Sequence, residues 1–122
     1  MARNFYFHDR FSEGMAIVAK LVVDEFGEGA DSRAAQTRVL DIPAGAGRLS
    51  AYLRAKGYDV ISGDINSAQE GYVLADMTKT LPFQDETFDV TISMEGIEHI
   101  FEPNTLISEL VRVTKKGGRI IL

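Results

Sequence analysis

The sequence predicts an α/β fold, a doubly wound and mostly parallel sheet, and three observations carry that prediction. Short apolar runs alternate with helical stripes, a glycine turn joins the first run to the helix after it, and acids close successive runs. At 122 residues the chain has the size of one domain, and 45% hydrophobic with 25% charged residues is the composition of a globular protein, which excludes collagen-like and disordered classes. With no Cys, disulfides, thiolate nucleophiles and Cys-zinc centres are excluded, and a reducing compartment fits. The balance of 13 basic and 18 acidic residues gives a net charge of −5, which disfavours nucleic acid or anionic lipid as a general partner.

The elements follow in order. Met15, Val18, Leu21, Val22 and Phe26 have the spacing of an amphipathic helix from Ser12 to Phe26, with Ser12 as its N-cap. Gly27 and Gly29 stop it, and a surface linker to Gln36 follows, so residues 1–36 are expected as a helix and linker and 37–122 as the α/β core. Arg38–Asp41 reads as a buried first strand ending at Pro43-Ala-Gly-Ala-Gly47. Leu49, Tyr52 and Leu53 form a helical stripe over residues 48–56, Gly57 ends it, and Tyr58–Asp64 is the second strand, which completes a βαβ unit. Tyr72–Asp76 is a short third strand and Phe88–Met94 a fourth, rich in β-branched residues. Asn104 is expected to cap a helix to about Lys115, with Lys115 and Lys116 complementing its dipole, before a fifth strand begins at Arg119. The chain stops inside that strand, so a truncated domain with further strands is expected, as is association between copies through the uncovered strand.

The chemistry gathers at strand ends. Glycine lacks Cβ and lets backbone approach a ligand, so Gly45 and Gly47 suit a binding turn, although a plain tight turn explains them equally well. Ser50 stands where a dinucleotide fingerprint would have its third Gly, which disfavours a nicotinamide oxidoreductase, and no G-K-[ST] follows to make a phosphate loop. In an open α/β sheet the ligand crevice lies beyond the carboxyl ends of the strands, where Asp41, Asp64 and Asp76 converge. Asp64 can accept from both hydroxyls of a ribose and Asp76 from the exocyclic amine of a base, while Asp41 can orient the turn or meet a cation. A ligand with ribose, adenine and a positive charge but no phosphate satisfies all three.

These residues resemble the class I S-adenosylmethionine-dependent methyltransferases of the small-molecule type. Asp41-Ile-Pro43-Ala44-Gly45-Ala-Gly47 resembles the family's first motif, Ser62-Gly-Asp64-Ile65-Asn66 its ribose-binding acid, and Ala75-Asp76-Met77 its adenine-contacting acid with the apolar residue after it. Leu81-Pro-Phe83, Asp85 and Phe88-Asp-Val90 resemble the passage into strand 4, and Glu109 to Gly118 resembles the helix and Gly-Gly turn before strand 5. The resemblance covers about two-thirds of the chain and implies a Rossmann-like methyltransferase fold. It also implies a cofactor site of Asp41, Pro43, Ala44, Gly45, Gly47, Asp64, Ile65, Asp76, Met77 and Met94. Only 11 residues separate Asp64 from Asp76, so the crossover helix there must shrink to about one turn.

Past strand 4, Glu95, Glu98 and His99 would share one face of a helical turn and could hold a divalent ion such as Mg2+. This pattern resembles one found in ubiquinone-pathway and small-RNA methyltransferases, where such residues take part in metal binding. Equally, Glu98 and His99 could fix the loop by hydrogen bonds, with His99 as a lone general base. His8, among aromatic residues, suits a lid over the acceptor or a segment packed on the core, and Arg48 suits the cofactor carboxylate or solvent. The expected function is methyl transfer from S-adenosylmethionine to a small-molecule acceptor, at oxygen ahead of nitrogen or carbon, in the cytoplasm. The competing expectation is a non-catalytic module that binds cofactor or a partner. The longest apolar stretch, Met15 to Val23, is broken by Lys20 and too short to span a bilayer, and the N-terminus has no secretory pattern.

Overall fold

The computed structural model describes residues 13–29, 33–66, 69–94, 100 and 102–122. The Ser12 cap, the aromatic segment around His8 and the Glu95, Glu98 and His99 cluster lie outside the described residues. Strands β1 (Arg38–Asp41), β2 (Asp59–Asp64), β3 (Val73–Leu74), β4 (Phe88–Ile92) and β5 (Thr114–Ile121) form one sheet in the order β3-β2-β1-β4-β5. Among the described residues every pairing is parallel. The doubly wound parallel sheet expected from the sequence is what forms. The chain winds outward from β1 through β2 to β3, then returns to β4 on the other side of β1. The strand order therefore reverses beside β1, and a crevice opens above its carboxyl end.

Side chains alternate along each strand, so adjacent residues of β1 feed opposite layers. Val39 belongs to the core that α1 (Glu13–Phe26) and α2 (Arg48–Ala55) cover, with Val18, Val22, Leu49 and Leu53. Leu40 belongs to the core beneath α3 (Pro103–Val113), with Leu106, Leu110, Leu81 and Phe88. Full burial of a Leu or Phe contributes about 1.5–3 kcal/mol, so these layers hold the strand ends in place.

Several boundaries differ from the sequence reading for physical reasons. The supposed linker contains a 3-10 turn, Arg33–Gln36, whose Ala34 is fully buried against α1 and the sheet, so the segment is partly core. Pro103 takes the first turn of α3, and the cap is Glu102, whose carboxylate accepts the Asn104 N–H, rather than Asn104 itself. The helix also ends earlier. Thr114 is already extended, its hydroxyl bonded to Thr91 Oγ1 and donating to the Leu110 carbonyl, so Lys115 and Lys116 stand on β5 instead of at a helix end. From the pair Phe88 and Thr114 to the pair Val90 and Arg119, β5 advances five residues against two on β4, and Gly117 at φ 80° sits in that irregularity. The third strand has two paired residues rather than five. Among the described residues between Asp64 and Val73, positions 69–72 form a turn.

Candidate cofactor site

The glycine turn sits on the reversal point. Beyond β1, the Ile42 N–H donates to Ile92 and the Ala44 N–H to Gly63, so the chain is tied to β4 on one side and β2 on the other before it turns. Gly45 (φ 57°) and Gly47 (φ 84°) both adopt the left-handed conformation that glycine takes without strain, and Gly47 is the N-cap of α2. A Cβ on Gly47 would stand 2.7 Å from the Tyr72 hydroxyl, so a side chain there is strained by φ and pushes on the tyrosine.

Asp64, at the end of β2 and 9% exposed, reaches across to this turn. Its Oδ2 accepts the Gly45 N–H at 2.9 Å and its Oδ1 the Asn66 N–H at 2.9 Å. Each oxygen keeps a second lone pair, so the carboxylate is oriented and still able to receive two hydroxyls. Asp76, just beyond β3, is bound more locally. Its Oδ1 accepts from the Thr78 hydroxyl at 2.6 Å and the Thr78 N–H at 2.9 Å, and the hydroxyl bond holds the acid below the usual carboxylate range. The Ala75 N–H donates to the Asp64 carbonyl, so Asp76 follows directly on the β2 end.

Asp41 is different. It is 3% exposed, and burial raises its pKa to about 6 against the partial relief of a 2.6 Å hydrogen bond from Ser50 Oγ. Ser62 Oγ donates to Ser50 Oγ at 2.7 Å, and Arg54 donates to Ser62 Oγ and the Val60 carbonyl. Asp41 therefore orients the turn by anchoring the first turn of α2, through a buried polar chain that sequence reading missed. Its only signal was Ser50, which read as a failed glycine. Tyr72 and Gln69, also missed, lie on the turn. The Tyr72 hydroxyl donates to the Gly45 carbonyl at 2.8 Å, and Gln69 Nε2 to the Ala46 carbonyl at 3.3 Å.

The remaining expected cofactor residues spread outward. Pro43 is half-buried and Ala44 buried inside the turn, while Ile65 is 62% exposed beside Asp64. Met77 packs on the core beneath α3 and Met94 on the core beneath α1 and α2. Ser93, buried just past β4, has a hydroxyl with no hydrogen-bond partner among the described residues. Among the described residues no group of three His, Asp or Glu is placed to hold a metal ion. A separate groove between α1 and β5, lined in part by Leu21, Phe26, Arg119 and Ile121, contains none of these acids.

Residues 40–122, the segment that carries the turn and all three acids, match the family described as "Methyltransferase domain". The chain belongs to the class I S-adenosylmethionine-dependent methyltransferases. Among curated relatives of this methyltransferase chain, the demethylmenaquinone methyltransferase of Clavibacter sepedonicus is 39% identical over 99 residues, which cover 70% of this chain and 40% of the relative. That of Streptomyces avermitilis is 38% identical over 109 residues, 80% of this chain and 46% of the relative. The chain thus spans less than half the length of these two relatives. Among solved structures, 1,6-didemethyltoxoflavin-N1-methyltransferase of Burkholderia thailandensis, with 1,6-didemethyltoxoflavin and S-adenosylhomocysteine bound, superposes with a TM-score of 0.71 at 18% identity, over 88% of this chain and 50% of that one. At that identity the likeness supports the fold alone. Among the described residues no helix is long and apolar enough to cross a membrane.

Proposed function

We propose that this chain is the cofactor-binding part of a methyltransferase that moves the sulfonium methyl of S-adenosylmethionine to a quinone-type small-molecule acceptor. The observation that supports it most is the carboxylate of Asp64, fixed by the Gly45 and Asn66 N–H groups with a lone pair left on each oxygen, as a ribose diol requires. Asp76 would accept from the adenine amine, with Ile65 and Met77 beside the ring. The turn from Pro43 to Gly47 would receive the methionine end, and Met94 would flank the crevice. Class I membership supplies the cofactor, and the names of the curated relatives supply the acceptor class.

The protein's task in this reaction is alignment, with the nucleophile held about 3–3.5 Å from the methyl carbon and in line with the leaving sulfur. His99 is assigned as the general base. A reduced quinone carries a ring hydroxyl, and removing its proton creates an oxygen nucleophile whose charge also spreads to ring carbons, so one base serves either outcome. Oxygen remains the assigned atom, and mass and NMR analysis of the product decides it. Glu95 and Glu98 enter with His99 only if chelation abolishes turnover and Mg2+ restores it. Activity that survives chelation leaves His99 as the base.

The first test is calorimetric titration of S-adenosylmethionine and, separately, NAD into the chain, with Asp64→Ala as control. Micromolar binding of S-adenosylmethionine, about −8 kcal/mol, that disappears in the variant is expected. A folded chain that binds neither, or binds NAD instead, refutes the reading.

A further inference from the structure

Gly45 is held on both sides of its Cα by residues of the β2 end and the β2–β3 connection. The N–H of Gly45 donates to Asp64 Oδ2 at 2.9 Å, and its carbonyl accepts the Tyr72 hydroxyl at 2.8 Å. Asp64 ends β2, and Tyr72 immediately precedes β3 at the close of the short β2–β3 connection. The hydroxyl also rests against Gly47, where a Cβ would meet it at 2.7 Å. Gln69, three residues earlier, adds weaker bonds from its Nε2 to the same Gly45 carbonyl at 3.5 Å and to the Ala46 carbonyl at 3.3 Å. The phenol is half-buried, and its pKa is raised by burial first and then by the nearby carboxylates of Asp41 and Asp64, which places it among the acids of the site.

We infer that Tyr72 is a positioning residue for the cofactor: by holding the Gly45 carbonyl it fixes the Gly45 N–H on Asp64, so that the turn and the ribose-binding acid are set as one unit. This rests on the cofactor reading above. The peptide carrying the Gly45 N–H is tied at its other end by the Gly47 N–H on the Ala44 carbonyl, and Tyr72 holds the next peptide, whose swing about the glycine's φ and ψ would otherwise draw that N–H off Asp64. A tyrosine in this connection acts through backbone and needs no contact with the ligand. The shortness of the connection is what brings Tyr72 to the turn.

The test is Tyr72→Phe, which removes the hydroxyl and keeps the ring. Two probes are titrated into the chain: S-adenosylhomocysteine, and 5′-methylthioadenosine, which keeps adenine and ribose but lacks the amino-acid end. Amide exchange at Gly45 is followed by NMR in the unliganded chain. The expected result is a loss of about fivefold in affinity for both probes alike. Gly45 exchange should quicken by about the same factor, with core amides and melting temperature unchanged. Unchanged affinities, a loss confined to S-adenosylhomocysteine, or tighter binding each overturn the inference. The second result would mean direct contact with the amino-acid end, and the third a hydroxyl that the ligand must displace. If the unmutated chain binds neither probe while Tyr72→Phe still quickens Gly45 exchange, the cofactor reading falls and the clamp on Gly45 stands.

Discussion

The carboxyl and amino ends of the same sheet treat an acid withdrawn from solvent in opposite ways, Asp41 buried at the one and Glu109 partly buried at the other. At the amino end, Glu109 on α3 receives two bonds from Arg112, at 2.7 and 2.9 Å, and the Leu81 N–H at 2.8 Å. The same guanidinium donates to Asp85 and to the carbonyls of Leu81 and Phe83, which fastens the approach to β4 onto α3. The Arg112 bonds hold Glu109 below the usual carboxylate range, so the charge belongs there. At the carboxyl end Asp41 has a hydroxyl as its direct partner and Arg54 only at a remove, and burial wins. A charge with a bidentate cation stabilises the fold, whereas one met by a serine strains it. The difference separates a structural clamp from a crevice whose buried acid has no direct cationic partner.

Breaking the clamp should have the largest effect. Arg112→Ala leaves Glu109, 14% exposed at its side chain, without its counter-charge and frees two carbonyls, so unfolding in urea should show a loss of about 3 kcal/mol. Asp41→Asn should act with the opposite sign. A folded pKa of about 6 against 3.8 unfolded means that Asp41 contributes stability fully below pH 3.8 and loses it as pH rises through 6. The variant should therefore match the parent near pH 4 and exceed it by up to about 3 kcal/mol at pH 7, as followed by denaturation across that window. Glu109 runs the other way: its stabilisation is present above its unfolded pKa and fades as pH falls through the lowered folded value. A stability gain for Asp41→Asn that does not depend on pH would show that the two ends do not differ as described.

Smaller effects sharpen the comparison. Gly47→Ala puts a Cβ at φ 84° and against the Tyr72 hydroxyl, and should cost about 1–2 kcal/mol together with cofactor affinity. Calorimetry should register the loss of affinity even where the chain stays folded. Lys20→Ala, which removes an exposed pair with Asp24 on α1, should shift stability by less than about 0.5 kcal/mol and leave binding alone. It is the control for charge removal outside both ends.

The sequence by itself determined the parallel α/β architecture, the first strand to the residue, and the acids that end the first two strands, because these depend on local pattern. Apolar runs of strand length, a glycine turn and a helical stripe are all set within a few residues. The ends of elements were decided elsewhere. Thr114 is extended because Phe88, 26 positions earlier, pairs with it, and no window around Lys115 contains that partner. The role of each acid was also beyond the pattern. Asp41, Asp64 and Asp76 look alike in one dimension, yet one is held by a buried serine, one by the glycine turn and one by its own threonine neighbour. Ser50 and Tyr72 gave no local signal because their partners lie 9 and 27 residues away in the chain. A hydrogen bond between distant residues exists only once the sheet has brought strand ends together, so residue types could be read from the chain while their pairing, and the protonation that follows from it, came from the fold.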